Sequence, residues 1–232
     1  MLTNKPAKQM SLTLRVLARL LSYPDDALRE HLPELREALR AEAALQPARA
    51  LEVAALIDSI AAQSAIDAEA DYVQLFDSGR STSLQLYEHV HGDSRDRGPA
   101  MIDLAQTFEK AGLYLAPGEM PDHLPVVLEF ASTQPAREAR AFLGEMAHIL
   151  NAIFSALHKR GCRYASAQGA LIELAGEKAA AVPLPDEVPI DESWAEPMAF
   201  DGCSTAGQSR PGQAQPIQIQ RKTAGTAAGA RP

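Results

Sequence analysis

Residues 86–98, LYEHVHGDSRDRG, concentrate the side chains that could do chemistry, with two histidines, three acids and two arginines. His89 and His91 are close enough in sequence to suggest a metal site. Oxygen ligands could come from three acids in the stretch: Glu88, Asp93 and Asp96. The spacing argues against this site, because residues two apart on a helix point to opposite sides. His123 or His148 could still complete it, so a metal-binding or enzymatic helical protein that uses His89 and His91 stays an alternative.

The chain lacks the short motifs that identify common catalytic centres. It has no GxSxG elbow, no GxxxxGK[ST] phosphate loop, no GxGxxG and no HExxH. Its two cysteines, Cys162 and Cys203, are too few and too widely spaced for a zinc or iron–sulfur set. Residues 77–83, DSGRSTS, could bind an anion through Arg80, although a polar turn is the simpler interpretation. We therefore expect a protein that is not an enzyme.

Recognition of another protein is the remaining interpretation of the charged stretch. The net charge of -8, from 22 basic and 30 acidic residues, disfavours nucleic acid as a partner, which would need a basic face. An acidic helical body can instead accept a partner helix in an apolar groove, with rim carboxylates meeting basic residues. Arg95 and Arg97, bracketed by Asp93 and Asp96, are also expected to form salt bridges that shape the loop.

The elements that must position these residues are predicted to be helices. Hydrophobic residues make up 46% of the chain and aromatic residues only 5%, and recurring Ala and Leu favour helix over sheet. Apolar residues recur at helical spacing in eight segments: 11–23, 25–39, 51–62, 66–76, 99–112, 122–131, 142–161 and 164–176. Pro33 predicts a kink or break in the second segment, and Asp122 is a candidate N-cap for the sixth. Residues 1–181 are thus predicted to form a single compact all-α helical bundle of about seven to nine helices.

The composition changes at residue 182. Residues 182–203 contain a proline every few positions and are expected to be extended, with Trp194 and Phe200 packing them onto the helical domain as a strap. Residues 204–232 contain no acid and no aromatic residue, so we expect a disordered tail. The tail holds four basic residues, and the other residues therefore carry 18 basic and 30 acidic side chains, a net charge of -12.

Membrane insertion is not expected from the sequence. No run approaches the roughly 20 apolar residues that cross a bilayer. The leucine-rich start is interrupted by Arg15 and Arg19, and no small-residue cleavage site follows it. We expect a cytoplasmic, soluble protein.

Longer motifs resemble a known family. The run YVQLFDSGRSTSLQLYEHVHGDSRDRGPAMIDL, followed by GEMPDHLPVVLEF, resembles the core signature of the nitrate reductase molybdenum cofactor assembly chaperones, the delta subunit family of respiratory nitrate reductase. The resemblance begins before LARLLSYPDDAL, at about Leu12, and ends near Cys203. The wider group of molybdoenzyme maturation chaperones carries a PxDHL-like motif near its peptide site, matched here by residues 121–124, and a YxxLF motif, matched by residues 72–76.

The resemblance implies an all-α chaperone with no catalytic turnover and no cofactor of its own. Its implied partner is the apo catalytic alpha subunit of respiratory nitrate reductase, especially the N-terminal segment of that subunit. The chaperone would hold this client during molybdenum cofactor insertion, before membrane assembly, and would not be part of the final enzyme. We expect it to be a monomer or weak dimer.

A groove flanked by residues 87–97 and 122–125 is predicted to take an amphipathic client segment. The predicted client-binding residues are Tyr87, Glu88, His89, His91, Asp93, Arg95, Asp96, Arg97, Asp122, His123, Leu124 and Pro125. The histidines among them have ordinary pKa values near 6.5, so their protonation is predicted to make the acidic groove less attractive to a basic client.

Overall fold

The computed structural model describes residues 9–92 and 94–182 and is all-α over these ranges, as predicted. The described ranges contain eleven α-helices: α1 (Ser11–Leu20), α2 (Asp26–Glu30), α3 (Leu32–Glu42), α4 (Pro47–Ala62), α5 (Ala65–Phe76), α6 (Leu86–His91), α7 (Arg97–Lys110), α8 (Leu124–Thr133), α9 (Ala136–Glu145), α10 (Ala147–Lys159) and α11 (Ala165–Ala175). A 3-10 turn, Arg80–Thr82, lies between α5 and α6. None of these helices is long and apolar enough to cross a membrane. Asp93, the predicted tail and all of the predicted strap except Val182 lie outside the described residues.

Local sequence signals explain several helix boundaries. Asp25 caps α2, because its Oδ1 atom accepts a hydrogen bond from the backbone N–H of Leu28 at 2.8 Å. Ser64 caps α5 in the same way, through the N–H of Asp67. Pro33 lies in the first turn of α3, where its missing N–H costs nothing. The predicted break in the second helical segment is confirmed, at His31.

Two features of the helix pattern differ from the sequence-based expectation and raise the number of helices above nine. The predicted helix over residues 142–161 is two helices, α9 and α10, which are separated at Met146. Leu143 and Ile149 on the two sides of this break are both buried, so the apolar spacing continues across it. The charged stretch itself contains a short helix, α6, whose six residues are too few to show a helical period.

The core lies where α1 and α11 cross the other helices. On α1, Leu14, Leu17 and Leu20 are fully buried, and the helix packs along α8 and α3. On α11, Gly169 and Ala170 are also buried, and that helix packs against α10, α9 and α4. Gly169 leaves room for the guanidinium group of Arg49, because a Cβ atom at this position would lie 2.6 Å from Nη1 of that arginine.

An aromatic cluster holds α5 on this core. The hydroxyl group of Tyr72 donates a hydrogen bond to the carbonyl oxygen of Leu21 at 2.8 Å. The ring of Phe76 lies 4.8 Å from that of Tyr72 and 5.1 Å from that of Tyr164, measured between ring centroids. Burial of the two tyrosines raises their pKa values. Tyr72 and Phe76 of the YxxLF motif are therefore buried residues of the core.

Candidate functional site

The two segments predicted to form the site are direct neighbours. Gln85 and His123 form an antiparallel β-bridge. On either side of it, the N–H of Leu86 donates to the carbonyl oxygen of Asp122 at 2.9 Å, and the N–H of Leu124 donates to that of Leu84 at 2.8 Å. The start of α6 is therefore joined by backbone hydrogen bonds to the start of α8.

Asp122 is fully buried at this junction and links three helices. Its Oδ2 atom accepts from the backbone N–H of Tyr87 in α6 at 3.2 Å and from Nη2 of Arg97 in α7 at 3.4 Å. Nη1 of Arg97 donates in turn to Oε1 of Glu88 at 3.2 Å. A carboxylate at the positive end of a helix is favourable, and Asp122 occupies that position at α6. We call Glu88, Arg97 and Asp122 the ion lattice, in which Asp122 is buried and the other two side chains are half-buried.

One expectation about these charges is wrong, and another is confirmed for Arg97. Asp122 does not cap α8, since His123 occupies that N-cap position and makes no side-chain capping bond there. Its carboxylate serves α6 instead, because the bridge turns it towards that helix. Arg97 forms internal salt bridges, as expected, and its partners are Glu88 and Asp122. The Oδ2 atom of Asp96 accepts a hydrogen bond from the hydroxyl group of Ser94.

A second set of contacts orients the outer side of α6. The hydroxyl group of Ser83 donates to Oε2 of Glu88 at 2.6 Å, and Nε2 of His89 donates to the carbonyl oxygen of Ser83 at 2.9 Å. The ring of His91 meets that of Tyr87 edge-on, with 5.5 Å between centroids. Burial raises the pKa of Tyr87, and the charge of Asp122 adds to this effect. The histidines of α6 are therefore engaged within the protein.

The expectation of ordinary histidine pKa values is wrong for two of the three. Burial lowers the pKa of His89, and its hydrogen bond to the Ser83 carbonyl only partly opposes this effect. Burial also lowers the pKa of His123, against the opposing charges of Asp122 and Glu119. Both imidazoles are therefore neutral at a pH where an exposed histidine would begin to bind a proton.

The twelve predicted site residues differ in how far a partner could reach them. Arg95 and Asp96 are exposed. Six are half-buried: Tyr87, Glu88, His89, His91, Arg97 and His123. Three are buried: Asp122, Leu124 and Pro125. Asp93 lies outside the described residues. The buried members support the surface from below rather than face a partner.

Exposed apolar side chains on α6, on α7 and in the loop after α7 were missed by the sequence-based reasoning. Val90 on α6 is 52% exposed and Ile102 on α7 is 59% exposed. The loop between α7 and α8 adds Tyr114 at 80%. An apolar residue inside a strongly polar stretch, such as Val90 between two histidines, was the signal available in the sequence.

The described residues contain no side-chain arrangement that supports the alternative of a metal-binding protein. Across residues 9–92 and 94–182, no group of three or more histidine, cysteine, aspartate or glutamate side chains is arranged to hold a metal ion. His89 uses Nε2 for the Ser83 carbonyl, and the ring of His91 packs on Tyr87.

Two cavities lie outside the predicted site. One, of about 190 Å³, is bounded by α1, the end of α7 and α8, with Phe108 and Phe130 in its wall and Glu119 at its edge. The other, of about 680 Å³, lies between α4, α5 and the turn that joins α10 to α11. None of the twelve predicted residues lines either cavity.

Comparison with known proteins gives one consistent result. The family model described as nitrate reductase delta subunit matches residues 22–167, which include the whole predicted site. The chain is 43% identical over 162 residues to the nitrate reductase molybdenum cofactor assembly chaperone NarJ of Escherichia coli (strain K12), an alignment that covers 70% of this chain and 69% of NarJ. It is 36% identical over 163 residues to NarW of the same strain, which is assigned as a chaperone of the same kind, with 70% and 68% covered.

A solved structure supports the fold. The crystal structure of a candidate redox enzyme maturation protein from Archaeoglobus fulgidus superposes with a TM-score of 0.52 at 20% identity. The superposition covers 76% of this chain and 100% of that protein. At this level of identity, the similarity concerns the all-α architecture alone.

Proposed function

The chain belongs to the nitrate reductase delta subunit family, and from this premise we propose that it binds the apo catalytic alpha subunit of respiratory nitrate reductase. In this proposal it holds that client, especially its N-terminal segment, while the molybdenum cofactor is inserted. It acts in the cytoplasm before membrane assembly, as a monomer or weak dimer, and is absent from the finished enzyme. It performs no catalysis and holds no cofactor of its own.

The observation that carries the proposal is the 43% identity to NarJ over 162 residues. The relatives with this similarity are named for assembly of the molybdenum cofactor of nitrate reductase. That task requires recognition of an incomplete enzyme, and a protein-binding surface of charged and apolar side chains suits recognition.

The site proposed for the client is the outer surface of α6 and the α6–α7 turn. Asp96 and Arg95 provide exposed charges there, and Val90 provides exposed apolar surface. The ion lattice joins α6 and α7 to Asp122, at the start of α8, next to this surface. An amphipathic client segment would place apolar side chains on Val90 and basic side chains beside Asp96.

Calorimetric titration with a synthetic peptide of the first residues of the cognate catalytic subunit tests this function. We expect saturable binding of the native peptide and none of a scrambled peptide with the same composition. In the client site, Asp96→Lys should weaken binding by about threefold to tenfold at low salt, because it replaces attraction by repulsion. Glu109→Lys, an equal charge change at the other end of α7, is the matched control and should have little effect.

The possible results separate the function from its location. Equal binding of native and scrambled peptides, or binding of neither, would contradict a chaperone that recognises this client segment. Native binding that is equally sensitive to both substitutions would keep the function and remove Asp96 from the site. Recovery of the chain in stoichiometric amount with the mature reductase would instead indicate a permanent structural subunit.

A further inference from the structure

The cavity of about 680 Å³ between α4, α5 and the α10–α11 turn has an apolar wall and a basic rim. Leu56, Ile60 and Leu75 contribute apolar surface, and Arg160 and Arg163 contribute charge. The one acid in the lining, Asp71, already accepts a hydrogen bond from Nε2 of Gln63 at 2.6 Å. Such a cavity suits several residues of an extended chain that carries both apolar and acidic side chains.

The chain beyond α11 runs along α10, towards the turn that lines this cavity. The N–H of Ala180 donates to Oδ1 of Asn151 at 3.0 Å, and the N–H of Val182 donates to Oγ of Ser155 at 3.0 Å. Asn151 and Ser155 lie one turn apart on the same face of α10. The chain therefore runs parallel to α10, towards the C-terminal end of that helix. Cys162, which lines the cavity, is the third residue after that end.

The next six residues, PLPDEV at positions 183–188, have the chemistry that the cavity would accept. Leu184 and Val188 are apolar, Asp186 and Glu187 are acidic, and none is basic. Prolines favour an extended chain of about 3.1 Å per residue, so four residues beyond Val182 reach about 12 Å. The axis of α10 advances only about 6 Å over the four residues from Ser155 to Lys159, and the chain is therefore long enough to reach the end of this helix, where the turn that lines the cavity begins.

We propose that residues 183–188 bind in this cavity, with the side chains of Leu184 and Val188 against its apolar wall and the carboxylates of Asp186 and Glu187 beside Arg160 and Arg163. The cavity is then an internal docking site for an acidic, apolar segment of the same chain. This inference does not depend on the identity of the client, because its basis is the cavity, the path of residues 180–182 and the sequence that follows.

Disulfide trapping in the full-length chain tests this location. With Cys203→Ser in the background, Val188→Cys is paired with the native Cys162. The matched control pairs Val188→Cys with His148→Cys in a Cys162→Ser, Cys203→Ser chain. Positions 148 and 162 are each seven residues from Ser155, in opposite directions. Under mild oxidation, we expect the pair at 162 to form an intramolecular disulfide at least about tenfold faster, as judged by peptide mass.

Accessibility of Cys162 gives a second measurement that does not involve a new thiol. In the Cys203→Ser chain, Leu184→Ser together with Val188→Ser should raise the alkylation rate of Cys162 by at least about threefold at constant pH, because the segment would leave the cavity more often. Leu12→Ser with Ile102→Ser, two exposed apolar positions that do not line the cavity, is the control. This substitution should leave the rate unchanged.

Three results would overturn the proposal. Equal trapping rates at 162 and 148 would mean that the segment has no preference for the cavity. An alkylation rate that did not change with Leu184→Ser and Val188→Ser would mean that the segment does not cover Cys162. Linkage between chains that rises with protein concentration would assign the cavity to a second copy. None of these results would affect the peptide titration, so failure here is distinguishable from failure of the proposed function.

Discussion

The carboxylate of Asp122 illustrates how one residue can serve a helix other than the one that follows it in sequence. Its side chain and its backbone carbonyl both accept hydrogen bonds from the first turn of α6. Oδ1 of Asp122 and Nε of Arg97 are buried and have no hydrogen-bond partner among the described residues. The charge of Asp122 is therefore compensated chiefly by Arg97, so substitution of the arginine should be costly.

Replacing Arg97 by Gln is expected to lower the free energy of unfolding by about 2–3 kcal/mol, because it leaves the buried Asp122 charge without its cation. This range allows for the partial exposure of the Arg97 side chain. Arg95→Gln, an equal charge change at an exposed position two residues earlier, should stay within about 0.5 kcal/mol of the original protein. Urea denaturation of both variants measures the difference. Equal stabilities would mean that the ion lattice contributes little.

At the scale of elements, the end of α6 depends on the backbone of Gly92. This residue has φ +54° and ψ -127°, a backbone conformation that residues with a Cβ atom rarely adopt. A Cβ atom there would also lie 3.1 Å from Nη1 of Arg80. The glycine allows α6 to end within two turns and the chain to turn towards α7.

Gly92→Ala is expected to lower the free energy of unfolding by about 1–3 kcal/mol through backbone strain. Gly98→Ala is the matched control, because Gly98 lies in the first turn of α7 and a Cβ atom there would have no neighbour within 4 Å. Its replacement should be neutral or stabilising by up to about 1 kcal/mol. Urea denaturation compares the two. A control that lost as much stability as Gly92→Ala would refute the argument from conformation.

At the scale of the whole molecule, pH changes the stability of the protein through titratable groups that become buried on folding. His89 and His123 have lowered pKa values in the folded protein because they are buried, whereas histidines in an unfolded chain titrate near 6.5. Below about pH 6.5, the unfolded chain therefore binds more protons than the folded protein at these two positions. The stability contributed by the neutral rings is present above about pH 6.5 and is lost as the pH falls through the folded pKa values.

The free energy of unfolding is expected to decrease as the pH is lowered from about 7 towards 5. The double substitution His89→Gln, His123→Gln should reduce the slope of the free energy of unfolding against pH. His148→Gln, at an exposed position, is the control substitution. Urea denaturation at several pH values gives the slope for each variant. A slope unaffected by the double substitution would show that other groups account for the pH dependence.

The helical elements were largely predictable because their signals are local. Each signal involves residues within one or two helical turns of one another. Examples are the capping residues Asp25 and Ser64, Pro33 in the first turn of α3, and the regularly spaced leucines of α1. The break at Met146 was not predictable from periodicity, because buried residues on both sides of it continue the same spacing. The six-residue α6 was not predictable from periodicity, because it is too short to show a helical period.

The sequence by itself determined the all-α class, most helix boundaries and, through its long motifs, the family to which the chain belongs. Tertiary structure decided which charges meet: it paired Arg97 with Glu88 and Asp122, turned Asp122 away from its own helix and buried His89 and His123. The physical reason is the distance along the sequence over which each kind of interaction acts. Helix signals act over a few residues, whereas pairing and burial depend on side chains that approach only when distant segments pack, as residues 84–88 and 122–124 do.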